Sequence, residues 1–484
     1  MNELNEKKAV SHEDKPMTNI GVRSFITVVL ILVGVLIFSG VLSYIIPQGT
    51  FERDENEVII PDTYVEGEIE GISFLKVLTA PLRVFVSDDA LTVIMISVFL
   101  LVMSGVFNLL EKTGGIKIFI GRIMKVLKSK GGPVVCVTVL VFMLFGSFFG
   151  MFEELVTLLP IIVMFMLSMN MDTMTGLGAC LLAACFGFSA AITNPFSVGL
   201  AAQMSGVNTT EGLWLRVVFF GVVYASLCIF LMLHLKRIER DPKLSPSYEI
   251  DLEKRKMLEA EPREVAAGND KIFKVYLVFF IVQAVVLVLI ATVRAISDLA
   301  IPLLALSFLT AGIICGMCVS EHKRNVFRYI LQGAASMLPA VVMIALASSV
   351  KLVMTESGII DTIMNYVIGI LDGKGKFLAI ILIYLLILFM QFFIGSASAK
   401  IMLIIPIIMP IATALGLSPA LVILAYCMAD GFTDVILPTN PILLVALSMA
   451  NVSYAKWVKW TWKLQVLLLV LTVAFLGFGV LIGY

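Results

Sequence analysis

Long apolar runs alternate with short polar segments along most of the chain. A helix needs about 20 apolar residues to cross the roughly 30 Å hydrocarbon layer of a bilayer. Many of the runs have about this length, and others are too short or too interrupted for a simple crossing. The pattern predicts an all-α polytopic membrane protein with apolar segments near 25–46, 90–110, 134–147, 155–168, 176–204, 213–235, 273–294, 299–319, 333–354, 377–394, 400–415, 418–450 and 460–483.

The distribution of basic residues predicts how these segments are oriented, because Lys and Arg near span ends collect on the cytoplasmic side. Residues 1–23 contain several Lys and Arg, which predicts a cytoplasmic N-terminus. The acid-rich stretch 47–89 is then external, and the basic stretch 112–130 is cytoplasmic. The alternation continues only if 134–168 and 377–415 are re-entrant hairpins, the first entering from the cytoplasm and the second from outside.

Two halves of the chain repeat one another. The tripeptide Thr-Asn-Pro begins at Thr193 and again at Thr439, an offset of 439 − 193 = 246, and the same offset carries Phe186 onto Phe432. By the charge-derived orientation, the two copies have opposite topology. Secondary transporters use such inverted repeats to build a site at the bilayer midplane from two broken helices.

The spans, the charges and the repeats together predict a domain organisation. Each repeat contains one hairpin and one broken helix, and a polar linker separates the two repeats. The predicted parts are a cytoplasmic N-terminus (1–23), a first span with an external acidic loop (24–89), repeat 1 (90–235, with hairpin 134–168 and broken helix 176–204), a cytoplasmic linker (236–272), connecting spans (273–332) and repeat 2 (333–484, with hairpin 377–415 and broken helix 418–450).

The Thr-Asn-Pro sequences interrupt both predicted broken helices. Unwound backbone at membrane depth is tolerated only where protein or a watery cavity satisfies its polar groups. Two converging breaks would offer helix N-termini to an anion and free oxygens to a cation. Proline kinks that serve packing alone are the alternative. Thr193, Asn194, Thr439 and Asn440 are therefore candidate substrate ligands, and the two asparagines are also candidate ligands for a coupling ion, with Na⁺ near them.

The hairpin tips carry the second set of candidates. Glu153 and Glu154 follow the first tip and Lys400 follows the second, and 400 − 154 = 246 makes Glu154 and Lys400 equivalent. We expect a structural ion pair between them, which leaves Glu153 to bind a cationic group or a coupling ion. The acids could instead only cap a half-helix. Ser396 and Ser398 lie among small residues that let backbone approach a ligand, although small residues also serve helix packing.

Asp430 and Asp434 precede the second break and are four residues apart, hence on one helix face. Their counterparts in repeat 1 are Ala184 and Phe188, so the predicted site is acidic on one side only. These aspartates could bind substrate, ligate a coupling cation, relay protons, or receive an ammonium or guanidinium group. A purely solvating role is the alternative.

Composition narrows the classes of function. Hydrophobic residues make up 60% and charged residues 14% of the chain, and 35 basic residues balance 35 acidic ones, so nothing indicates a nucleic-acid partner. The stretch LDGKGKF lacks the spacing of a nucleotide-binding loop. No Cys/His or Ser/His arrangement suggests an enzyme, and no His-based metal site is expected. We predict no cofactor beyond a coupling ion, Na⁺ or H⁺.

Four motifs resemble the YfcC-like branch of the anaerobic dicarboxylate carriers and basic amino acid antiporters, within the ion transporter superfamily. They are GMFEELVTLLPII, FGFSAAITNPFSVGLA, GSASAKIMLIIPIIMP and DGFTDVILPTNP. The resemblance extends over nearly the whole chain from Ile20. It implies a homodimer in a bacterial-type inner membrane, with a scaffold domain, a moving domain and elevator-type alternating access. Dicarboxylate members of the superfamily carry Ser-Asn-Thr at the hairpin tips, where this chain has SFFGMFEE and GSASAK.

The balance of charges at membrane depth predicts the substrate. Several carboxylates against one lysine favour a cationic or zwitterionic small molecule, so we predict gradient-coupled transport of amino acids, with arginine, ornithine and lysine foremost. A sodium- or proton-coupled C4-dicarboxylate carrier is the alternative, because protonation of the acids could admit an anion. An ion channel is less favoured, because hairpins from opposite sides suggest occluding gates.

Overall fold

The structure, a computed structural model, is built almost entirely of helices. Helices suit these apolar segments because every backbone polar group inside the segment finds its partner within it. The structure describes residues 22–52, 60, 63–88, 90–115, 118, 131–156, 158–259, 270–292, 300–320, 322–371 and 373–484.

Repeat 1 and the segments before it contain ten of the described helices. Two short strands, β1 (Gly49–Thr50) and β2 (Val65–Glu66), pair antiparallel after the first helix. The helices are α1 (Val22–Leu42), α2 (Phe74–Arg83), α3 (Ala90–Lys112), α4 (Gly131–Phe149), α5 (Glu153–Val156), α6 (Leu159–Ser168), α7 (Thr173–Leu177), α8 (Ala183–Ser189), α9 (Leu200–Ser205) and α10 (Leu213–Arg240), with π-helical turns at Gly178–Leu182 and Pro195–Gly199 and a 3₁₀ turn at Val84–Val86.

The linker, the connecting segments and repeat 2 are also helical. A 3₁₀ turn, Pro242–Leu244, separates α10 from the next helix. The helices are α11 (Tyr248–Glu259), α12 (Asp270–Thr292), α13 (Ala300–Val319), α14 (Lys323–Ser336), α15 (Leu338–Glu356), α16 (Ile359–Leu371), α17 (Lys376–Phe393), α18 (Ala397–Ala414), α19 (Pro419–Asp434), α20 (Pro441–Ala450) and α21 (Tyr454–Ile482).

Seven helical segments of the described chain are long and apolar enough to cross a membrane, judged by length and composition. This agrees with the predicted all-α polytopic architecture. The seven are Val93–Lys112, Gly131–Phe149, Leu213–Arg240, Pro302–Val319, Lys323–Glu356, Lys376–Phe393 and Tyr454–Ile482.

Helix ends recur at the offset found in the sequence. Helix α7 begins at Thr173, and 173 + 246 = 419 is the first residue of α19, Pro419. The π-helical turn after the first break begins at Pro195, and 195 + 246 = 441 is the first residue of α20, Pro441. The opposite orientation of the two halves in a membrane stays a prediction.

The centre of the fold brings the two broken helices together. The rings of Phe186 and Phe432, equivalent by the offset, meet edge to face with centroids 5.3 Å apart. Helix α8 packs between α4 and α19. After each break the chain crosses to the other half: α20 packs on α6, and α9 packs on α18. Each half-helix therefore packs on a helix of the other predicted repeat, inside that repeat's predicted hairpin.

The predicted linker, 236–272, is more than a connection. Helix α10 continues to Arg240, and α11 packs on α6. Its Asp251 Oδ1 accepts a hydrogen bond from the backbone N–H of Thr173 (3.1 Å), and its Lys254 Nζ donates to the backbone oxygen of Ala450 (2.8 Å). One linker helix thus caps the start of α7 and the end of α20. Polar composition had predicted only a cytoplasmic linker between the two repeats.

A second buried cluster extends the linker contacts towards α10. Asp172 Oδ2 accepts hydrogen bonds from Ser245 Oγ (2.6 Å) and from His234 Nε2 (2.8 Å). Trp460 Nε1 donates to His234 Nδ1 (3.1 Å), which places the ring proton of His234 on Nε2. The cluster joins the linker to helices α10 and α21.

Lys254 should make the stability of the folded protein depend on pH. Burial lowers the pKa of Lys254 from 10.5 to about 8, although nearby Asp251 opposes the shift. Between these values the unfolded chain holds a proton that the folded chain has released, so the unfolding free energy should rise with pH. Relative to Lys254→Met, the unfolding free energy of the wild type should increase by up to about 3 kcal/mol between pH 8 and pH 10.5. Denaturant titrations of the detergent-solubilised proteins at several pH values provide the measurement. Parallel curves of unfolding free energy against pH for the two proteins would contradict the prediction.

Candidate functional site

The second break is organised by Asn440, the residue before α20. Its Oδ1 accepts hydrogen bonds from the backbone N–H groups of Ile442 (2.9 Å) and Leu443 (3.3 Å), which makes it the N-cap of the half-helix. Its Nδ2 donates to Asp434 Oδ1 at 2.8 Å. One asparagine therefore both starts α20 and holds the last residue of α19. The Asn-Pro sequence produces the break because proline is favoured in the first turn of a helix and an asparagine before it can cap.

Asp434 is held from a second side by the hairpin helix α17. Gln391 Nε2 donates a short hydrogen bond to the same oxygen, Asp434 Oδ1. Both side chains are buried, Gln391 at 2% and Asp434 at 7% relative exposure. Within the described part of the chain, Gln391 Oε1 has no hydrogen-bond partner. An unpaired amide oxygen beside a buried carboxylate is a ready acceptor for a ligand donor.

A buried ion pair lies one turn before Asp434. Lys400 Nζ donates to Asp430 Oδ1 at 2.5 Å, and both side chains are almost completely buried. The other carboxylate oxygen, Asp430 Oδ2, is unpaired among the residues that the structure describes. Tyr426, one turn further back, donates to the backbone oxygen of Ala397 at 2.7 Å. Tyr426, Asp430 and Asp434 thus form one face of α19 that contacts the second hairpin.

Lys400 has a partner that its sequence position did not indicate. We predicted a pair with Glu154, its equivalent by the offset; the structure shows the ammonium bonded to Asp430, and the pair with Glu154 stays a prediction. Lys400 lies in the first turn of α18, which packs on α19 and brings the two side chains together. The side chains of Glu153, Glu154 and Ser398 lie outside the described residues, so their predicted roles stay predictions.

The first break is held by the tip of the first hairpin. Ser147 Oγ donates to the backbone oxygen of Ala190 (2.7 Å) and accepts from the N–H of Ile192 (3.0 Å). Gly150, with φ +69°, lies so close that a Cβ there would be 2.2 Å from Asn194 Oδ1. Thr193 is exposed and donates to the backbone oxygen of Phe148 at 3.4 Å. The small residues Ser147 and Gly150 of this tip are required for its contact with the break.

The two equivalent asparagines differ in their bonding. Asn194 Oδ1 accepts from the N–H of Phe196 (2.9 Å), as expected of a residue that starts a helical turn. Its Nδ2 finds no acceptor among the described residues, whereas that of Asn440 bonds Asp434. The difference follows from the sequence, because the counterpart of Asp434 in repeat 1 is Phe188. Charge is therefore concentrated at the second break.

Unpaired polar atoms gather around both breaks. Buried polar groups are nearly always hydrogen-bonded, so a local concentration of unpaired ones indicates a place for water, an ion or a substrate. Thr439 and Asn440 are buried, whereas Thr193 and Ser396 are exposed. Among the residues that the structure describes, the unpaired buried atoms at the breaks are Ser189 Oγ, Asn194 Nδ2, Ser197 Oγ, Gln391 Oε1 and Asp430 Oδ2.

Comparison with known proteins identifies the family. Residues 24–481 match the family model DcuC, described as a C4-dicarboxylate anaerobic carrier. The chain belongs to this carrier family. The membership confirms the resemblance predicted from the four motifs, and with the seven apolar segments it makes the chain a multi-pass membrane transporter.

Two curated relatives of this DcuC-family chain cover most of its length. An uncharacterized protein of Haemophilus influenzae is 27% identical over 411 residues, which are 83% of this chain and 77% of the relative. The putative basic amino acid antiporter YfcC of Escherichia coli is 26% identical over 382 residues, 76% of this chain and 74% of the relative.

Two solved transporters are distant structural matches to this DcuC-family carrier. The YdaH transporter of Alcanivorax borkumensis has a TM-score of 0.41 and 18% identity, covering 95% of this chain and 98% of that one. MtrF of Neisseria gonorrhoeae, described as illuminating a class of antimetabolite efflux pumps, has a TM-score of 0.41 and 17% identity, covering 93% and 94%.

Two side chains of the site in this DcuC-family carrier were missed in the sequence. Gln391 interrupts the apolar stretch LLILFMQFFIG, and a polar amide at membrane depth is a signal that could have found it. Tyr426 gives no such signal, because tyrosines are common in membrane helices near interfaces. Its hydrogen bond to Ala397 depends on how α19 is rotated against α18.

Proposed function

We propose that this carrier moves amino acids with a cationic side chain, such as arginine, ornithine or lysine, across a bacterial-type inner membrane in a gradient-coupled process. One observation carries the proposal: Asp430 and Asp434 are buried together beside a broken helix and face a single lysine among the described residues. Two carboxylates against one ammonium leave an excess of negative charge. A guanidinium or ammonium group of a substrate would compensate it through charge-assisted hydrogen bonds.

The exposed hairpin tip is the proposed place for the other end of an amino acid. Ser396 is exposed and its Oγ accepts from the N–H of Ala399, at the start of the 18-residue helix α18. The positive end of a helix favours a carboxylate. Ser398, Thr193 and Thr439 remain candidate contacts for the substrate.

The coupling ion, Na⁺ or H⁺, is proposed to use oxygens other than those of the two asparagines. The side-chain oxygens of Asn194 and Asn440 already accept backbone hydrogen bonds. Two of the oxygens that are unpaired in the described structure, Asp430 Oδ2 and Gln391 Oε1, belong to side chains beside the second break. A cation with a preference for oxygen ligands, or a proton on a carboxylate, would satisfy these atoms. Asn194 and Asn440 would then position the site, and Glu153 stays a candidate for coupling.

The crossed packing of the two halves supports the elevator mechanism that the resemblance implies. Helix α20 packs on α6, and α9 packs on α18, so each hairpin is attached to a broken helix of the other half. Elements joined in this way would move through the membrane as one body with the substrate. We propose that the remaining spans form the fixed scaffold of a homodimer surrounded by lipid.

A C4-dicarboxylate is the second candidate substrate. The family description favours it, and Lys400 could bind one carboxylate of such a substrate. An anion would, however, require Asp430 or Asp434 to be protonated, because two ionised carboxylates repel it. Substrate selectivity therefore decides between the two candidates.

Transport by reconstituted protein tests the proposal. In the presence of a sodium or proton gradient, proteoliposomes should take up labelled arginine well above protein-free vesicles. Unlabelled succinate should not compete with this uptake. Asp434→Asn keeps the shape of the side chain and removes its charge, so arginine uptake should fall by about 10- to 100-fold, the effect of weakened charge-assisted hydrogen bonds. Robust succinate uptake without arginine uptake would establish the dicarboxylate alternative instead.

A further inference from the structure

Lys400 is among the largest fully buried side chains of the described structure, with 0% relative exposure. Its ammonium bonds Asp430, the carboxylate that we propose for the cationic group of the substrate. A buried ion pair is usually a weak contributor to stability, because desolvation of both charges offsets their attraction. The pair therefore calls for an explanation other than stability.

The position of Lys400 brings it close to an exposed part of the chain. It lies in the first turn of α18, and the residues just before that helix, Gly395 and Ser396, are exposed at the hairpin tip. A lysine side chain is a compact charge on a flexible four-carbon stem. Rotation of that stem towards the tip would release Asp430 without any change in the backbone of α19.

The unpaired acceptors around the ion pair suit a group with more N–H donors than one ammonium. Asp430 Oδ2 and Gln391 Oε1 have no partner within the described residues, although both belong to side chains at most 2% exposed. A guanidinium carries five N–H donors in a planar fork. It could bond oxygens that the ammonium of Lys400 leaves unpaired.

We infer that Lys400 is a tethered substitute for the cationic group of the substrate. It occupies Asp430 when the site is empty and is displaced when a substrate binds. The inference rests on the proposed function and adds a consequence for transport. The empty carrier keeps Asp430 paired, so it can return across the membrane without substrate, and net transport becomes possible besides exchange.

The physical reason is the penalty of an uncompensated charge at membrane depth. A carrier without Lys400 would have to move with an unpaired Asp430 whenever its site is empty. During exchange the site moves loaded in both directions, so Asp430 is then paired by the substrate. Removal of the lysine should therefore act mainly on the empty return step.

The ratio of net flux to exchange flux measures that step. Proteoliposomes without internal arginine report net uptake, and vesicles loaded with unlabelled arginine report exchange. In Lys400→Met the ratio should fall at least about 30-fold below wild type, because removing one partner of a buried pair strands the other charge. Lys400→Arg keeps the charge and should stay within about 3-fold of wild type. Lys459→Met, at an exposed lysine of α21, is the matched control and should leave the ratio unchanged.

Chemical rescue provides a second measurement. In Lys400→Ala, n-propylammonium on both sides of the membrane can fill the space of the missing side chain, and the ratio should recover. An unaltered ratio in Lys400→Met, or no recovery with the amine in folded Lys400→Ala, would overturn the inference while leaving the proposed function intact. Absence of arginine flux in wild type would overturn both.

Discussion

Asp430→Asn should lose nearly all arginine transport and a large part of its stability. The substitution leaves the buried ammonium of Lys400 without its counter-charge. Breaking a buried pair in this way costs about 3–5 kcal/mol of unfolding free energy. Arginine uptake should fall at least about 100-fold, because the substrate would lose the charge-assisted hydrogen bonds to its proposed acceptor. Uptake into proteoliposomes and denaturant unfolding in detergent are the two measurements.

A double variant separates the two effects. Asp430→Asn combined with Lys400→Met removes both charges, so most of the stability should return while transport stays lost. Asp361→Asn is a matched control, because Asp361 is also a buried aspartate (5% exposed) but bonds the N–H of Phe51 instead, away from the breaks. Its uptake should stay within about 3-fold of wild type, as expected for an acid that does not bind substrate. Normal uptake by Asp430→Asn would remove Asp430 from the site.

Gly187→Val should prevent helices α4 and α8 of repeat 1 from packing against each other. A Cβ at Gly187 would lie 2.2 Å from the backbone oxygen of Met143, and one at Gly146 would lie 2.3 Å from the backbone oxygen of Ala184. The contacts are reciprocal and involve backbone, so neither helix can yield by a side-chain rotation. Overpacking of this kind should lower the unfolding free energy by about 3 kcal/mol or more. Folded yield and the thermal midpoint in detergent report the loss.

Gly221→Ala is the control for this prediction. Gly221 lies in α10, and no described atom is within 4 Å of the Cβ that alanine would add. Alanine is favoured over glycine in helices by about 1 kcal/mol, so the variant should be at least as stable as wild type. Equal thermal midpoints for Gly187→Val and wild type would show that the α4–α8 contact is looser than described.

Much of the helical framework could be predicted from local signals. The breaks at the two Thr-Asn-Pro sequences occur at the helix ends, since Asn440 caps α20 and proline starts each following turn. The offset between the halves recurs in the beginnings of α7 and α19. These features depend on capping and on proline, which act within a few residues. Their opposite orientation in the membrane stays a prediction.

The pairing of charged groups could not be predicted in the same way. The offset suggested Glu154 for Lys400, and the structure pairs Lys400 with Asp430. The linker was predicted only as a cytoplasmic connection, and its Lys254 bonds the end of α20. In both cases the partners are 30 or more residues apart in sequence. Their contact depends on which helices are neighbours.

The sequence by itself determined where the long apolar helices lie, where two of them break, which residues carry charge inside the apolar segments, and the family to which the chain belongs. Only the tertiary structure decided which acid bonds Lys400, that Gln391 and Asn440 share Asp434, and that one linker helix joins both halves. The physical reason is that helix formation and capping are local, whereas these helices are apolar on nearly all sides. Periodicity therefore does not reveal how they rotate against one another.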